Sequence, residues 1–293
     1  MREEALFLMT DARHFGVTYQ INPWMRPETW RADQAGLKSA ALASAAALRA
    51  TLEKIGARVE TVRAVADLPD LVFPANAAIV LDGRVLVARF RHPERQGEEK
   101  IFRRAFLDLE KRDLVKDVID LPEEVLQEGA GDCIWDMDRG FFWAGHGQRS
   151  TANSLPAIAD TFGRPVVGLE LATDRFYHLD TCFCPLSGGR LLYYPPAFTA
   201  KALVTIHDHV RTQDRIPATE EDAAAFCVNA VNVGRHIVMA KAPARLKNRL
   251  TGLGYTVTEV DLSPFILSGG GAYCMTLRLD RVSGPRAVIR AAE

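Results

Sequence analysis

Residues 175–186, RFYHLDTCFCPL, place a histidine, an aspartate and two cysteines inside an otherwise strand-like run. Working outward from His178 and Asp180, related stretches return at intervals of roughly fifty residues. ANAAIVLDGRVLVARF begins near Asn76, EGAGDCIWDMDRGFFWAG at Glu128, CVNAVNVGRHIVMAK at Cys227, and GGGAYCMTLRL carries Cys274. Several of these stretches open on a residue able to do chemistry, which suggests a ring of repeats with one site at its centre.

Between the repeats the same order of elements returns. Each hairpin signal (Asp82-Gly83, Asp138-Arg139-Gly140, Gly188-Gly189) is followed by a helix and a further strand. Expected helices include residues 35–56, rich in Ala and Leu and closed by Gly56, and a segment marked by Ile101, Phe102, Ala105 and Leu109 after a charged loop from His92. Further helices are expected after Ser150 or Thr151 as N-cap, over AFTAKALVTIHDHV, from Thr219 and over APARLKNRLTGLG. A kelch-like propeller shares the period but is all-β, and a doubly wound sheet has no paired strands. A closed ring of five ββαβ units fits, a five-bladed α/β propeller formed by one domain over residues 1–293. The ring closes only if GAYCMTLRL pairs with the N-terminal ALFLMT. Such a ring brings Asn76, Glu128, His178 and Cys274 to a central channel.

Composition limits what that site serves. With 293 residues, 48% hydrophobic content and a formal net charge of −1, the chain has neither the basic excess of a nucleic-acid binder nor a like-charge block for a membrane surface. The run LFLM near the N-terminus is too short for a span or a signal sequence, so a cytoplasmic protein is expected. Five cysteines, an odd number without a CxxC pair, suit free thiols. The glycine runs form no phosphate loop, and His207-Asp208-His209 has no third ligand at a telling spacing. Neither a nucleotide nor a metal is expected.

Cys274 follows Gly269–Gly271, glycines that free backbone N–H groups and let the chain approach a ligand closely. A cysteine near a histidine is held as a thiolate that attacks an electrophilic carbon while the imidazole moves protons. Asp180, two residues beyond His178, is expected on the same face of a strand. With Glu128 it gives two carboxylates, which repel an anion and favour a planar cation with several N–H donors, as in a guanidinium. Cys133, Cys182, Cys184 and Cys227 read as small core hydrophobes. Glu128 alone reads as a loop residue, and Arg95 and Arg149 as surface charges unless an anion lies nearby.

INPWM, FPANAAIVL, RHPERQGEE, EGAGD, WAGHGQRS, FYHLDTCFCPL followed by LLYYP, VNV and SGGGAYCMTL, running in this order from residue 6 to residue 279, resemble the motif series of the arginine deiminase and amidinotransferase superfamily, the penteins. The likeness is greatest to the branch of arginine dihydrolases and dimethylarginine dimethylaminohydrolases, whose fold is the five-bladed α/β propeller. The resemblance implies that Cys274 is the nucleophile, His178 the general acid and base, and Glu128 and Asp180 the guanidinium holders. It also implies that Arg95 and Arg149 bind the substrate carboxylate and Asn22 the amino-acid end. Asn76 stands where deiminases and many dimethylarginine hydrolases carry aspartate, and in this it resembles the arginine dihydrolases. Pro74, Gln127 and Met275 depart from the branch's usual residues. The expected activity is hydrolysis of L-arginine to ornithine, carbon dioxide and ammonia through a thiouronium, with no cofactor and a small guanidino compound as the only partner. A homo-oligomer is left open. Three alternatives share the fold: dimethylarginine hydrolysis to citrulline, amidino transfer to an amine, and a non-catalytic binding protein.

Overall fold

The computed structural model describes residues 4–284. Among them lie five three-stranded sheets. Four are built alike: an antiparallel hairpin, a helix, and a third strand parallel to the hairpin's second. Ala78–Leu81 and Arg84–Val87 form the first such hairpin, and Asp117–Asp120 returns beside it after the helix Pro93–Glu110. The next unit has Cys133–Asp136, Phe141–His146, the helix Ser154–Phe162 and Val166–Glu170. Phe183–Leu186, Arg190–Tyr193, Ala200–His209 and Arg215–Pro217 repeat the pattern. So do Val231–Val233, His236–Met239, Ala244–Gly252 and Thr256–Glu259.

The fifth sheet is shared between the ends of the chain. Leu6–Thr10 pairs antiparallel with Leu277–Arg278 and parallel with Arg58–Val62, after the helix Gln34–Lys54. The pairing of GAYCMTLRL with ALFLMT is therefore present, reduced to a two-residue strand. A single parallel strand needs a crossover of a dozen or more residues, and the helices supply it on the outside of each sheet. The hairpin turn at Asp82-Gly83 has positive φ at both residues, the backbone of a type I′ turn.

Local chemistry shifts some boundaries. The segment expected as a charged loop after His92 is already helical, because Pro93 at the first helical position has the φ a helix needs and no N–H to waste. That places Arg95 and Glu98 inside a helix and buries both. The helix expected to be capped by Ser150 or Thr151 starts only at Ser154, with no side-chain cap from Asn153. Ser150 is turned instead toward Asp132, its Oγ donating at 2.6 Å. The Thr219 cap is present as a full capping box with Asp222.

Candidate active site

Five turns, each leading into the first strand of a sheet, meet at the centre of the molecule. Hydrogen bonds and one close approach link them in a circle. The Ala75 N–H donates to the Cys274 carbonyl at 3.2 Å, and the turn Pro74–Ala77 lies against Gly129–Asp132. A Cβ on Gly131 would meet the Asn76 amide nitrogen at 2.1 Å, so only glycine fits there. Asp132 Oδ1 accepts from the Leu179 N–H at 3.0 Å, and the Asn229 amide donates to the Asp180 carbonyl at 3.1 Å. Asn229 Oδ1 in turn accepts from the N–H groups of Tyr273 and Cys274. A polar ring of this kind is tolerable in a core only because nearly every member is bonded to the next.

Cys274, His178, Glu128, Asn76 and Asp180 are all buried in this ring. The Cys274 thiol donates to Asp180 Oδ2 at 3.1 Å, and the Asn229 amide donates to the sulfur at 3.0 Å. Burial first, and then the neighbouring Asp180 carboxylate, push the thiol well above its ordinary range. Burial likewise lifts Asp180 to about 7 against the opposing pull of His178 and the thiol. Asp180 Oδ1 is buried with no hydrogen-bond partner among the described residues, an acceptor beside the sulfur ready for an N–H donor.

His178 turns the other way. Its Nε2 lies 2.7 Å from Glu128 Oε2 and its Nδ1 3.4 Å from the Asn76 amide nitrogen. The expected strand face shared by His178 and Asp180 is not there. Thr181 bonds back to the His178 carbonyl through both its N–H and its hydroxyl, winding Leu179–Thr181 into a 3-10 turn that sends the two side chains apart. Burial alone would raise the Glu128 carboxyl. The Arg149 guanidinium at 3.1 Å and the His178 bond outweigh it and hold the group well below the usual carboxylate range.

Arg149 also donates to the Ile21 carbonyl at 3.0 Å and lies over the Tyr177 ring. It lines a cleft of about 500 Å³ together with Asn22, His92 and Tyr177, at the outer side of the buried ring. Asn22 Oδ1 accepts from the N–H groups of Trp24 and Met25, and its amide donates to Ser268, so it also ties the INPWM turn to the chain before Cys274. Arg95 lies deeper. Its Nε and Nη2 bind both Glu98 oxygens at 2.8 Å, Nη2 reaches the Asp70 carbonyl and Nη1 donates to Asn76 Oδ1 at 2.9 Å. A surface charge it is not, and four of its five donor positions are committed inside the protein.

The residues that depart from the family pattern have local roles. Pro74 opens the 3-10 turn that carries Asn76. Gln127 closes its own turn, its amide bonding the Gly129 carbonyl and its oxygen the Gly129 N–H. Met275 is packed in the core. The glycines before Cys274 were expected to free N–H groups for a ligand, but the Gly269 and Gly270 N–H groups donate to Ile266 and Phe265. A Cβ on Gly270 would strike the Phe73 ring at 2.1 Å, so tight packing is the reason for that glycine. Cys133, Cys182, Cys184 and Cys227 are buried free thiols in the core, as read. His209 bonds the Thr205 carbonyl of its own helix and His207 faces Tyr193.

Sequence reasoning missed Asn229 and Asp132. Cys227, which opens the fourth repeat, has a sulfur that faces only the Ala225 and Lys241 carbonyls. A signal was present: Asn76-Ala77 stands immediately before the strand at Ala78, and Asn229-Ala230 immediately before the strand at Val231.

The family of eukaryotic N,N dimethylarginine dimethylhydrolases matches residues 13–281. The bifunctional arginine dihydrolase/ornithine cyclodeaminase ArgZ of Synechocystis is 42% identical over 95% of this chain, although the chain spans only 38% of that relative's length. The N(G),N(G)-dimethylarginine dimethylaminohydrolase of Mycobacterium tuberculosis is 33% identical over 93% of this chain and 85% of its own. Among solved structures, the product-bound N-terminal domain of ArgZ superposes with a TM-score of 0.87 at 40% identity, over 97% of this chain and all of that one. These matches, the five-unit fold and the central cysteine agree with the motifs, and the chain belongs to the dimethylarginine dimethylaminohydrolase family of the arginine deiminase and amidinotransferase superfamily, the penteins.

Proposed function

We propose that this chain is a cysteine-dependent guanidine hydrolase that converts free L-arginine to ornithine, carbon dioxide and ammonia. The observation that carries the reading is the carboxamide of Asn76, held by Arg95 and facing His178 at the centre of the site. A carboxylate there would suit a cation alone. A carboxamide offers a donor and an acceptor without charge, so it serves both the guanidinium and the neutral ureido group that follows it. The likeness to ArgZ, named a dihydrolase, supports the same choice.

In this scheme the guanidinium lies against Asp180, whose unpartnered Oδ1 accepts one of its N–H groups, and against Glu128. The arriving positive charge favours both the Asp180 carboxylate and the Cys274 thiolate, which their own burial disfavours. The thiol proton passes to His178 as the sulfur attacks the guanidinium carbon, and His178 returns it to the departing ammonia, leaving a thiouronium. Water deprotonated by His178 adds to that carbon, the C–S bond breaks, and citrulline forms. A second attack on the ureido carbon expels a second ammonia and leaves a thiocarbamate. Its hydrolysis gives a carbamic acid that loses carbon dioxide to yield ornithine, consuming two waters in all. Arg149 and Asn22, at the cleft, take the carboxylate and amino end of the substrate. No metal or organic cofactor enters this chemistry, and free thiols suit a cytoplasmic setting.

The test is product analysis by mass spectrometry with arginine and dimethylarginine side by side. Ornithine from arginine is expected, and Asn76→Asp should stop at citrulline. Stoichiometric citrulline from the unmodified protein would sink the dihydrolase reading. The second reading, hydrolysis of methylated arginine to citrulline and methylamines, is favoured by the matching family and by the mycobacterial relative. Faster release of methylamine than of ammonia would establish it. Product formation that requires glycine or ornithine as an acceptor would indicate an amidinotransferase instead.

A further inference from the structure

Glu98 has no part in the chemistry above, yet it is fully buried one helical turn from Arg95 and grips that guanidinium through both oxygens at 2.8 Å. What it controls follows from the chain of bonds that starts there. A guanidinium only donates, so the Asn76 atom 2.9 Å from Arg95 Nη1 is the carbonyl oxygen. The amide nitrogen then faces His178 Nδ1, at 3.4 Å. An amide nitrogen also only donates, so Nδ1 presents its lone pair and the neutral imidazole carries its proton on Nε2. That proton meets the Glu128 carboxylate, 2.7 Å away. The reverse tautomer would set two lone pairs against each other at that distance.

We propose that Glu98 is a positioning residue which, by clamping Arg95, fixes the facing of the Asn76 carboxamide and thereby makes Nδ1 the basic nitrogen of His178 and holds the ureido group for its second hydrolysis. The proposal rests on the dihydrolase reading for its last step only. A buried ion pair is a costly way to fill a core, and an apolar pair of similar volume often does as well for stability. The pair's value here lies in orientation: bidentate geometry leaves Arg95 one rotational setting, in which Nη1 points at Asn76. Without the second carboxylate oxygen, Arg95 swings toward the Asp70 carbonyl it already shares at 3.2 Å. Asn76 is then free to turn its oxygen to His178, where it competes for the position of the base.

The experiment compares the full chain with its Glu98→Gln and Glu98→Asp variants on arginine, reading kcat, KM, the ornithine-to-citrulline ratio and the thermal midpoint. For Glu98→Gln the ratio should fall about tenfold or more, the effect of losing one charge-assisted hydrogen bond, with KM little changed. Glu98→Asp, which keeps the charge but shortens the reach, should restore part of the ratio. A fall in kcat with an unchanged ratio would mark Glu98 as merely structural and overturn the proposal. Should Glu98→Gln fail to fold, nitrogen NMR on the unmodified protein decides. A pyridine-type Nδ1 and pyrrole-type Nε2 on His178 at neutral pH are expected, and the opposite tautomer refutes the clamp. Citrulline as the wild-type end product would defeat the dihydrolase reading, while the tautomer measurement would still test the clamp.

Discussion

Glu128 and Asp180 are both fully buried carboxyls in one site, yet Glu128 is held well below the ordinary carboxylate range and Asp180 is lifted to about 7. Burial acts on both in the same direction. The difference lies in their neighbours: Glu128 has the Arg149 guanidinium and His178, whereas Asp180 faces a thiol and keeps one oxygen without a partner. One side of the site is therefore a finished ion pair that orients the imidazole. The other is an unfinished one, whose missing cation we take to be the substrate. The comparison teaches where binding energy is available, since Asp180 is the carboxyl whose charge has no partner until a guanidinium arrives.

The largest effect should come from removing the nucleophile on the unfinished side. Cys274→Ser replaces a thiol by a much weaker nucleophile of similar shape, and turnover is expected to fall by about 10³-fold or more with the fold unchanged. Activity near the wild-type level, with a matching circular dichroism spectrum, would remove the cysteine from the mechanism.

Breaking the finished pair should cost stability as well as rate. Arg149→Met leaves a buried carboxylate without its cation, a loss of about 3–5 kcal/mol. The pH dependence should reverse in sign. With its pKa depressed, the wild-type Glu128 contributes stability that is present above its unfolded pKa and lost only as pH falls through its low folded value. In the variant, burial dominates and the folded pKa rises above the unfolded one. Stability from this group then falls as pH rises above about 4. Thermal midpoints measured from pH 4 to 8 check this, and parallel wild-type and variant curves would contradict it.

The smallest effect concerns Asp180. Its raised pKa means that the folded state holds a proton which the unfolded chain has released, so stability drains away as pH rises from about 4 to about 7. Asp180→Asn removes that drain and should stabilise the protein at neutral pH by on the order of 1–3 kcal/mol, while weakening guanidinium binding. Equal or lower midpoints for the variant at pH 7.5 would show that Asp180 already has its charge compensated.

Much of the architecture was legible because it repeats. The hairpin turns, the helices and the closing of the last sheet on the first all follow from a period the chain announces several times over. Within the site, His178, Glu128, Asp180 and Cys274 were each visible as reactive types in matching positions. Their pairing was not. His178 and Asp180 looked like neighbours on one strand face, and the Thr181 bonds that wind the intervening turn send one to Glu128 and the other to Cys274. Arg95 resembled a free cation for a carboxylate because Glu98, three residues on, gives no sign in sequence that both are buried. Asn229 stands in an Asn-Ala pair that the first repeat also carries, but only the folded ring brings its side chain to Asp180 and Cys274.

The sequence by itself determined the order of the elements, the number of units and the inventory of reactive side chains, since turn residues, helix spacing and residue type are local properties. It also determined that a carboxamide, and not a carboxylate, stands at position 76. Only the tertiary structure decided which carboxyl is paired, which thiol has an acid beside it and which way the Asn76 amide faces. Those depend on the distances between five turns far apart in the chain, and on the loss of water around them, which turns small differences in neighbouring charge into large differences in protonation.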